Sequence, residues 1–175
     1  MAKRVNGKAK GNTFERKIAN LLSERFAAYL GIPQAFRRNP DSGSFFGGSN
    51  TARTETHSMD YAIFGDLICP RNFRYSIECK HYKSAPTFQS IVELTVKQWD
   101  EWLGQAKQDS INSGKSLALI VKYNNVPEIV FLEANLTDLT PSLRYEGYNV
   151  YKFQDFLGWF SFFFNFKKSY FIAVR

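Results

Sequence analysis

The segment at residues 65–80, GDLICPRNFRYSIECK, constrains the fold of this chain more than any other. Asp66 ends an apolar run, a Pro-Arg-Asn turn signal follows, and residues 73–80 form a second β-rich run. Two such runs with turn residues between them predict a β-hairpin. Because side chains alternate along a strand, Glu78 and Lys80 share one face. The predicted hairpin therefore holds these two side chains together, with Asp66 within reach on the partner strand.

Two carboxylates beside an ammonium group have a chemical use. Hard cations such as Mg²⁺ prefer oxygen ligands, and they often bind through one or two carboxylates plus a substrate phosphate. An ion held in this way lowers the pKa of its water and neutralises charge on a phosphate during in-line displacement. A nearby ammonium group can stabilise the developing charge. The alternative is a surface hairpin whose Glu and Lys form a weak ion pair.

The pair Gly65-Asp66, followed by Glu78-Cys79-Lys80, resembles the PD-(D/E)xK nuclease motif. The resemblance implies that Asp66 and Glu78, with the backbone carbonyl of Cys79, hold Mg²⁺, for which Mn²⁺ can substitute. It also implies that Lys80 positions the attacking water. Within the superfamily the chain is most similar to Holliday junction resolvases of the archaeal type, whose products carry a 5′-phosphate and a 3′-hydroxyl.

A first helix is predicted to begin near Asn12 or Thr13 and to run to Leu30, with an apolar stripe at helical spacing. Glu15 lies at the edge of this stripe. With Asn12 as the N-cap, Glu15 would complete a capping box; because the stripe packs on the sheet, Glu15 would also point toward Asp66. Many PD-(D/E)xK enzymes have an extra acid on the first helix, so the resemblance implies that Glu15 completes the site or binds a second ion.

A long polar stretch, residues 34–59, separates this helix from the first strand. Structureless segments of this length in compact domains are usually functional or disordered. Its arginine pair, Arg37 and Arg38, followed by Ser-Gly, predicts contacts with backbone phosphates. The pattern resembles the Arg-then-Ser-Gly segment of the archaeal-type resolvases, where a mobile loop approaches the scissile phosphate. The resemblance implies an auxiliary role for Ser42.

Three further polar residues are candidates for the site, and each has an alternative interpretation. Asp60 is a rival to Asp66, but it starts its strand and so lies further from the second acid. His57 could act as a base, although a single loop histidine is more often solvated. Several PD-(D/E)xK families carry a glutamine near the lysine, on the helix that follows it; here Gln105, or else Gln98, could serve, or the glutamine could be solvated.

The charge balance predicts a polyanionic partner. The net charge is +7 and the sequence pI about 9.4. Residues 1–11 contain no acid and read as a flexible basic arm that either contacts phosphates or solubilises the chain. The candidate DNA-binding residues are Lys3, Arg4, Lys8, Lys10, Arg37, Arg38 and Lys83.

The remaining pattern predicts the architecture. A helix at residues 88–113 and strands at residues 117–123 and 128–133 follow the hairpin. The resulting order resembles the restriction-endonuclease-like α/β core, a central mixed β-sheet flanked by helices. Residues 12–175 are then a single nuclease domain, with its core at residues 12–133.

The aromatic-rich extension, residues 134–175, is predicted to contain a helix at residues 156–166 and a final strand at residues 170–174. The apolar segment is shorter than the roughly 20 residues that a membrane span needs. Its aromatic side chains either finish the core or form a subunit interface. With only two cysteines and no signal peptide, a reducing, cytoplasmic location is expected.

The sequence therefore predicts a Mg²⁺-dependent DNA endonuclease that cleaves four-way junctions as a homodimer, because two symmetric incisions need two active sites. A virus or mobile element could encode it. The alternatives are a restriction-type endonuclease, a repair nickase, and a non-catalytic DNA-binding module on the same scaffold.

Overall fold

The computed structural model of the chain describes residues 7–40, 61–133, 139–159 and 163. Its helices are α1 (Gly7–Leu30), α2 (Phe88–Val92), α3 (Lys97–Ser113) and α4 (Phe153–Leu157). Its strands are β1 (Arg37–Arg38), β2 (Tyr61–Phe64), β3 (Leu67–Pro70), β4 (Tyr75–Tyr82), β5 (Ser116–Tyr123), β6 (Ile129–Leu132), β7 (Leu143–Tyr145) and β8 (Tyr148–Lys152).

The central layer is a five-stranded sheet in the order β4-β5-β6-β8-β7. Strand β4 pairs with β5 in parallel, and the other neighbours pair antiparallel. Alternate residues of β5 enter two hydrophobic clusters: Ala118 and Ile120 pack with α1, while Leu119 and Val121 pack with α3. A mixed sheet with helices on both faces confirms the predicted fold class.

The predicted hairpin between the two motif strands is wrong. β3 folds back on β2 instead, in a three-stranded sheet ordered β1-β3-β2. The turn between them is Gly65-Asp66, and a side chain at Gly65 would meet the carbonyl oxygen of Ile77 at 2.4 Å. Gly65 has φ +69°, and its close approach lets the Asp66 amide donate to that carbonyl at 2.8 Å. Asp66 thus reaches β4 from a turn that abuts the strand.

The first helix begins earlier than predicted. α1 already includes Gly7, the first residue that the structure describes, so residues 7–11 of the expected arm are helical. Asn12 and Glu15 consequently lie inside the helix, and the capping-box interpretation is wrong.

The predicted helix at residues 88–113 is two helices. Leu94 between them has a positive φ of 52°. Val92 is 61% exposed and not part of a continuous stripe. β-Branched residues cluster at this break, where their low helix propensity favours an interruption.

Part of the C-terminal extension completes the core. β7 and β8 form the far edge of the large sheet, and α4 follows with only five residues. Phe156 and Phe163 are 2% and 0% exposed, with ring centroids 4.5 Å apart. Each buried phenyl ring contributes about 1.5–3 kcal/mol of apolar burial. Phe156 and Phe163 therefore pack inward. The predicted bounds of the helix at residues 156–166 are wrong, because α4 ends at Leu157, and the expected strand at residues 170–174 lies outside the described residues.

Candidate active site

The four predicted catalytic residues, Glu15, Asp66, Glu78 and Lys80, line one cleft of about 420 Å³. The cleft lies at the edge of the large sheet, where β4 has a strand neighbour on only one side. Each acid comes from a different element: α1, the β2–β3 turn and β4. The other lining residues are Lys8, Gly11, Asn12, Arg38, Pro40, Cys79 and Gln105.

Asp66 is fixed by backbone hydrogen bonds. Its Oδ2 accepts a hydrogen bond of 2.8 Å from the amide of Cys79. The buried Asn39 supports the turn with two hydrogen bonds. Its backbone N–H donates to the carbonyl of Asp66 at 2.8 Å, and its side-chain Nδ2 donates to the carbonyl of Gly65 at 3.0 Å. The carboxylate is therefore held against the middle of β4, beside the second acid.

Glu78 and Lys80 lie together as the strand alternation predicts. The Lys80 Nζ donates to Glu78 Oε1 at 2.6 Å and to Gln105 Oε1 at 3.0 Å. Gln105 lies on α3, so both motif side chains emerge on the α3 face of the sheet. Of the two glutamines considered, Gln105 is the one bonded to the lysine.

Glu15 reaches the cleft from α1. Its Oε2 accepts from Arg38 Nε at 2.6 Å, and Arg38 Nη2 donates to Asn12 Oδ1 at 3.0 Å. Arg38 was predicted as a phosphate contact, and the structure shows that it also holds the helix acid. Its position follows from β1, which pairs with β3 and directs the arginine toward α1.

The other predicted DNA-binding residues are dispersed. Lys8 lines the cleft, whereas Lys10 lies at a second cavity and donates to Asn124 at 2.7 Å. Arg37 and Lys83 are exposed. Outside the described residues are Lys3, Arg4, Ser42, His57 and Asp60.

The acids in the cleft repel one another. Burial, followed by the negative charge of Asp66, raises the pKa of Glu78 to about 8, and Lys80 offsets only part of this. Burial and Asp66 also raise the pKa of Glu15, against the opposing effect of Arg38. Burial lowers the pKa of Lys80, but Glu78 and Asp66 raise it by more, so this amine stays cationic. Repulsion of this kind is relieved by a bound cation.

Asp109 is a further acid near the cleft that sequence reasoning missed. Burial and the charge of Asp66 raise its pKa, while Lys80 lowers it in part. Asp109 follows Gln105 by four residues on α3, so the two lie on one helix face. That spacing was the signal in the sequence that could have found it.

The chemistry of these groups fits a hard divalent cation, since several carboxylates share one cleft. Among the residues that the structure describes, however, no three His, Cys, Asp or Glu side chains form a group that could hold an ion as it stands. In this arrangement Arg38 forms an ion pair with Glu15, and Lys80 forms one with Glu78. A metal would therefore have to compete with two internal cations.

Without metal, the free energy of unfolding should fall as pH rises from about 5 to about 8. In this window folded Glu78 keeps a proton that the unfolded chain has released, so stability is lost as pH rises, by up to about 1 kcal/mol per pH unit. Urea unfolding in EDTA across this range measures the slope. Glu78→Gln should flatten it, whereas Glu101→Gln, at an exposed position of α3, should leave it unchanged. An unaltered slope in E78Q would contradict the assignment.

The fold and the motif together define a class. A mixed sheet with helices on both faces, and an Asp with Glu-x-Lys at its edge strand, characterise nucleases of the PD-(D/E)xK superfamily. A family model described as phage putative PDDEXK endonuclease matches residues 6–167, and the chain belongs to this family. No curated protein and no solved structure matches the chain. No helix in the described part of the chain is long and apolar enough to cross a membrane.

Proposed function

We propose that this endonuclease hydrolyses phosphodiester bonds of DNA with Mg²⁺, or Mn²⁺ in its place. Asp66, Glu78 and the backbone carbonyl of Cys79 would hold the ion, and Glu15 would complete the site or hold a second ion. The observation that carries the proposal is the convergence of Asp66, Glu78 and Lys80 in one cleft, where the charge of Asp66 raises the pKa of Glu78. The net charge of +7 supports a polyanionic substrate.

The side chains of the cleft have different roles in the proposed hydrolysis. When bound, the metal lowers the pKa of its water and neutralises charge on the phosphate. Lys80, cationic and oriented by Gln105, positions the attacking water and stabilises charge that develops in the transition state. Arg38 and Lys8 line the same cleft and can contact phosphates on either side of the cut.

We further propose that the substrate is branched DNA, a four-way junction in particular, and that the active form is a homodimer. Two symmetric incisions require two active sites, and this chain carries motif residues for one. Phe156 and Phe163 are buried in the core, so the subunit contact is expected outside these two side chains. The phage family supports the proposal that a virus or mobile element encodes the chain.

Cleavage of three matched DNAs tests this proposal. We expect the protein to cut a synthetic four-way junction faster than a Y-fork or a linear duplex of the same sequence, with paired incisions in opposing strands. Labelling two opposing strands separately distinguishes paired from single incisions. Glu78→Gln serves as the control for contaminating nucleases.

The other outcomes identify the alternatives. Cleavage at one sequence in all three DNAs would favour a restriction-type enzyme, and single incisions by a protein that sediments as a monomer would favour a nickase. Either result would contradict the junction proposal and leave the catalytic residues unchanged. Binding of all three DNAs without cleavage under any divalent metal would favour a non-catalytic binding module.

A further inference from the structure

A second cavity, of about 440 Å³, lies on the other side of α1 from the catalytic cleft. Its volume falls in the range of small-molecule sites. α1 contributes Ala9, Lys10, Phe14 and Lys17 to its lining, and the sheet contributes His81 and Lys122. None of these side chains lines the catalytic cleft.

The inner wall of this cavity is aromatic and carries one unsatisfied polar atom. The rings of Phe14 and His81 lie 5.4 Å apart at 58°. The His81 ring interacts with the side chain of Asn124, but its buried Nε2 makes no hydrogen bond of good geometry within the part of the chain that the structure describes. Buried polar atoms are normally paired, so an unpaired one at a cavity wall indicates a partner that binds there. A flat ligand with a polar edge satisfies both features.

The rim of the cavity is cationic. Lys17 and Lys122 both approach one carboxylate, Glu128, at 2.5 Å and 3.5 Å. Lys10 is bonded to the neutral Asn124. The cavity lining therefore contains three lysines and one carboxylate. This excess of positive charge favours a ligand that carries a phosphate.

The cavity and the catalytic cleft are built from the same two elements. His81 directly follows Lys80 on β4, and Phe14 directly precedes Glu15 on α1. Successive residues of a strand face opposite ways, so the two sites lie back to back across the edge of the sheet. A nucleotide next to the scissile phosphate can place its base in the second cavity only if that base is unpaired, because a paired base is held in the duplex stack.

We propose that this cavity binds an unpaired nucleobase of the DNA next to the cleavage position, with its phosphate on the lysine rim. The base would stack on Phe14 and His81 and would place its polar edge at His81 Nε2. The proposal rests on the proposed function, since it takes DNA to be the substrate of the adjacent cleft. It adds a reason for preferring DNA with an unpaired base beside the cut, as in a fork, and a fully paired four-way junction would have to release a base at the branch point to use the cavity.

Filling the cavity tests the proposal. Ala9 is an exposed residue that lines the cavity, so Ala9→Phe occupies it without removing a contact. Ala28→Phe, exposed on the same helix and outside the cavity, is the matched control. Affinities are measured in EDTA for a forked DNA with unpaired bases and for a blunt duplex. A 2-aminopurine at the first unpaired position reports stacking by its loss of fluorescence.

We expect A9F to weaken binding of the fork by about 5- to 150-fold, the range for loss of one stacked base. Binding of the duplex should be unchanged, and the 2-aminopurine should regain fluorescence. Equal weakening for both DNAs, or no change for either, would overturn the proposal. If A9F does not fold, His81→Ala decides by the same comparison. Because no cleavage is measured, failure of catalysis and failure of the cavity proposal remain distinguishable.

Discussion

Asp66→Asn and Glu78→Gln should each reduce cleavage by about 10³-fold or more, while DNA affinity stays unchanged or rises. Each substitution removes a carboxylate that would hold the metal, at a cost of several kcal/mol in the transition state. Asp66→Asn also removes a carboxylate that repels the phosphate, whereas Glu78 keeps a proton below about pH 8 without metal, so Glu78→Gln should leave the affinity in EDTA unchanged there. Asn at position 66 can still accept the hydrogen bond from the Cys79 amide, so the turn should stay in place.

Junction cleavage rates in Mg²⁺ and fluorescence anisotropy in EDTA separate these two effects. The matched controls are Asp155→Asn and Glu101→Gln, which remove exposed carboxylates on α4 and α3. Both controls should keep full activity. Near-normal turnover in D66N or E78Q would contradict the assignment of the active site.

Lys80→Ala should slow cleavage by about 10²–10³-fold and keep metal binding, because the amine acts on the water or on transition-state charge. Loss of Lys80 also removes a positive charge that lowers the pKa of Glu78. Metal binding should therefore be measured across a range of pH in both proteins, and K80A should need a higher pH than the wild type to bind the metal.

Lys97→Ala is the control for the lysine, since Lys97 is exposed at the start of α3 and is not a candidate DNA-binding residue. Its activity should match that of the wild type. A decrease in the K80A cleavage rate much smaller than tenfold would show that Lys83 or solvent stabilises the transition state instead.

The local part of the site could be predicted from the sequence. Glu78 and Lys80 are two residues apart on a strand, and the two-residue period of a strand is fixed by backbone geometry. Gln105 could be proposed because α3 follows the motif and has a clear helical pattern. Cys79 lies between Glu78 and Lys80 on the strand, so its side chain faces the opposite way, into the hydrophobic cluster under α1.

Strand partners could not be predicted. β3 pairs with β2 and β4 pairs with β5, whereas the sequence suggested that the two motif strands pair with each other. Which strand pairs with which depends on long-range burial, and β5 is apolar enough to occupy the interior of the sheet beside β4. The turn at Asp66 follows from this arrangement and has no separate signal in the sequence.

Contacts between segments that are far apart in the sequence could not be predicted either. Arg38 bonds Glu15 across the gap between β1 and α1, and Arg38 was interpreted only as a phosphate contact. Helix propensity gave no reason to include Gly7 and Gly11 in α1, because glycine is a poor helix former. Asp109 was missed because the helix pattern was used to find the buried face of α3 and not the polar residues beside Gln105.

Relaxation of supercoiled plasmid tests the central claim most directly. Wild-type protein and E78Q are purified side by side and incubated with the plasmid in Mg²⁺ and in EDTA. We predict nicked or linear product only for the wild type with Mg²⁺. Product in EDTA, or equal product from E78Q, would contradict a metal-dependent site at Asp66 and Glu78, and no product with any divalent metal would contradict nuclease activity itself.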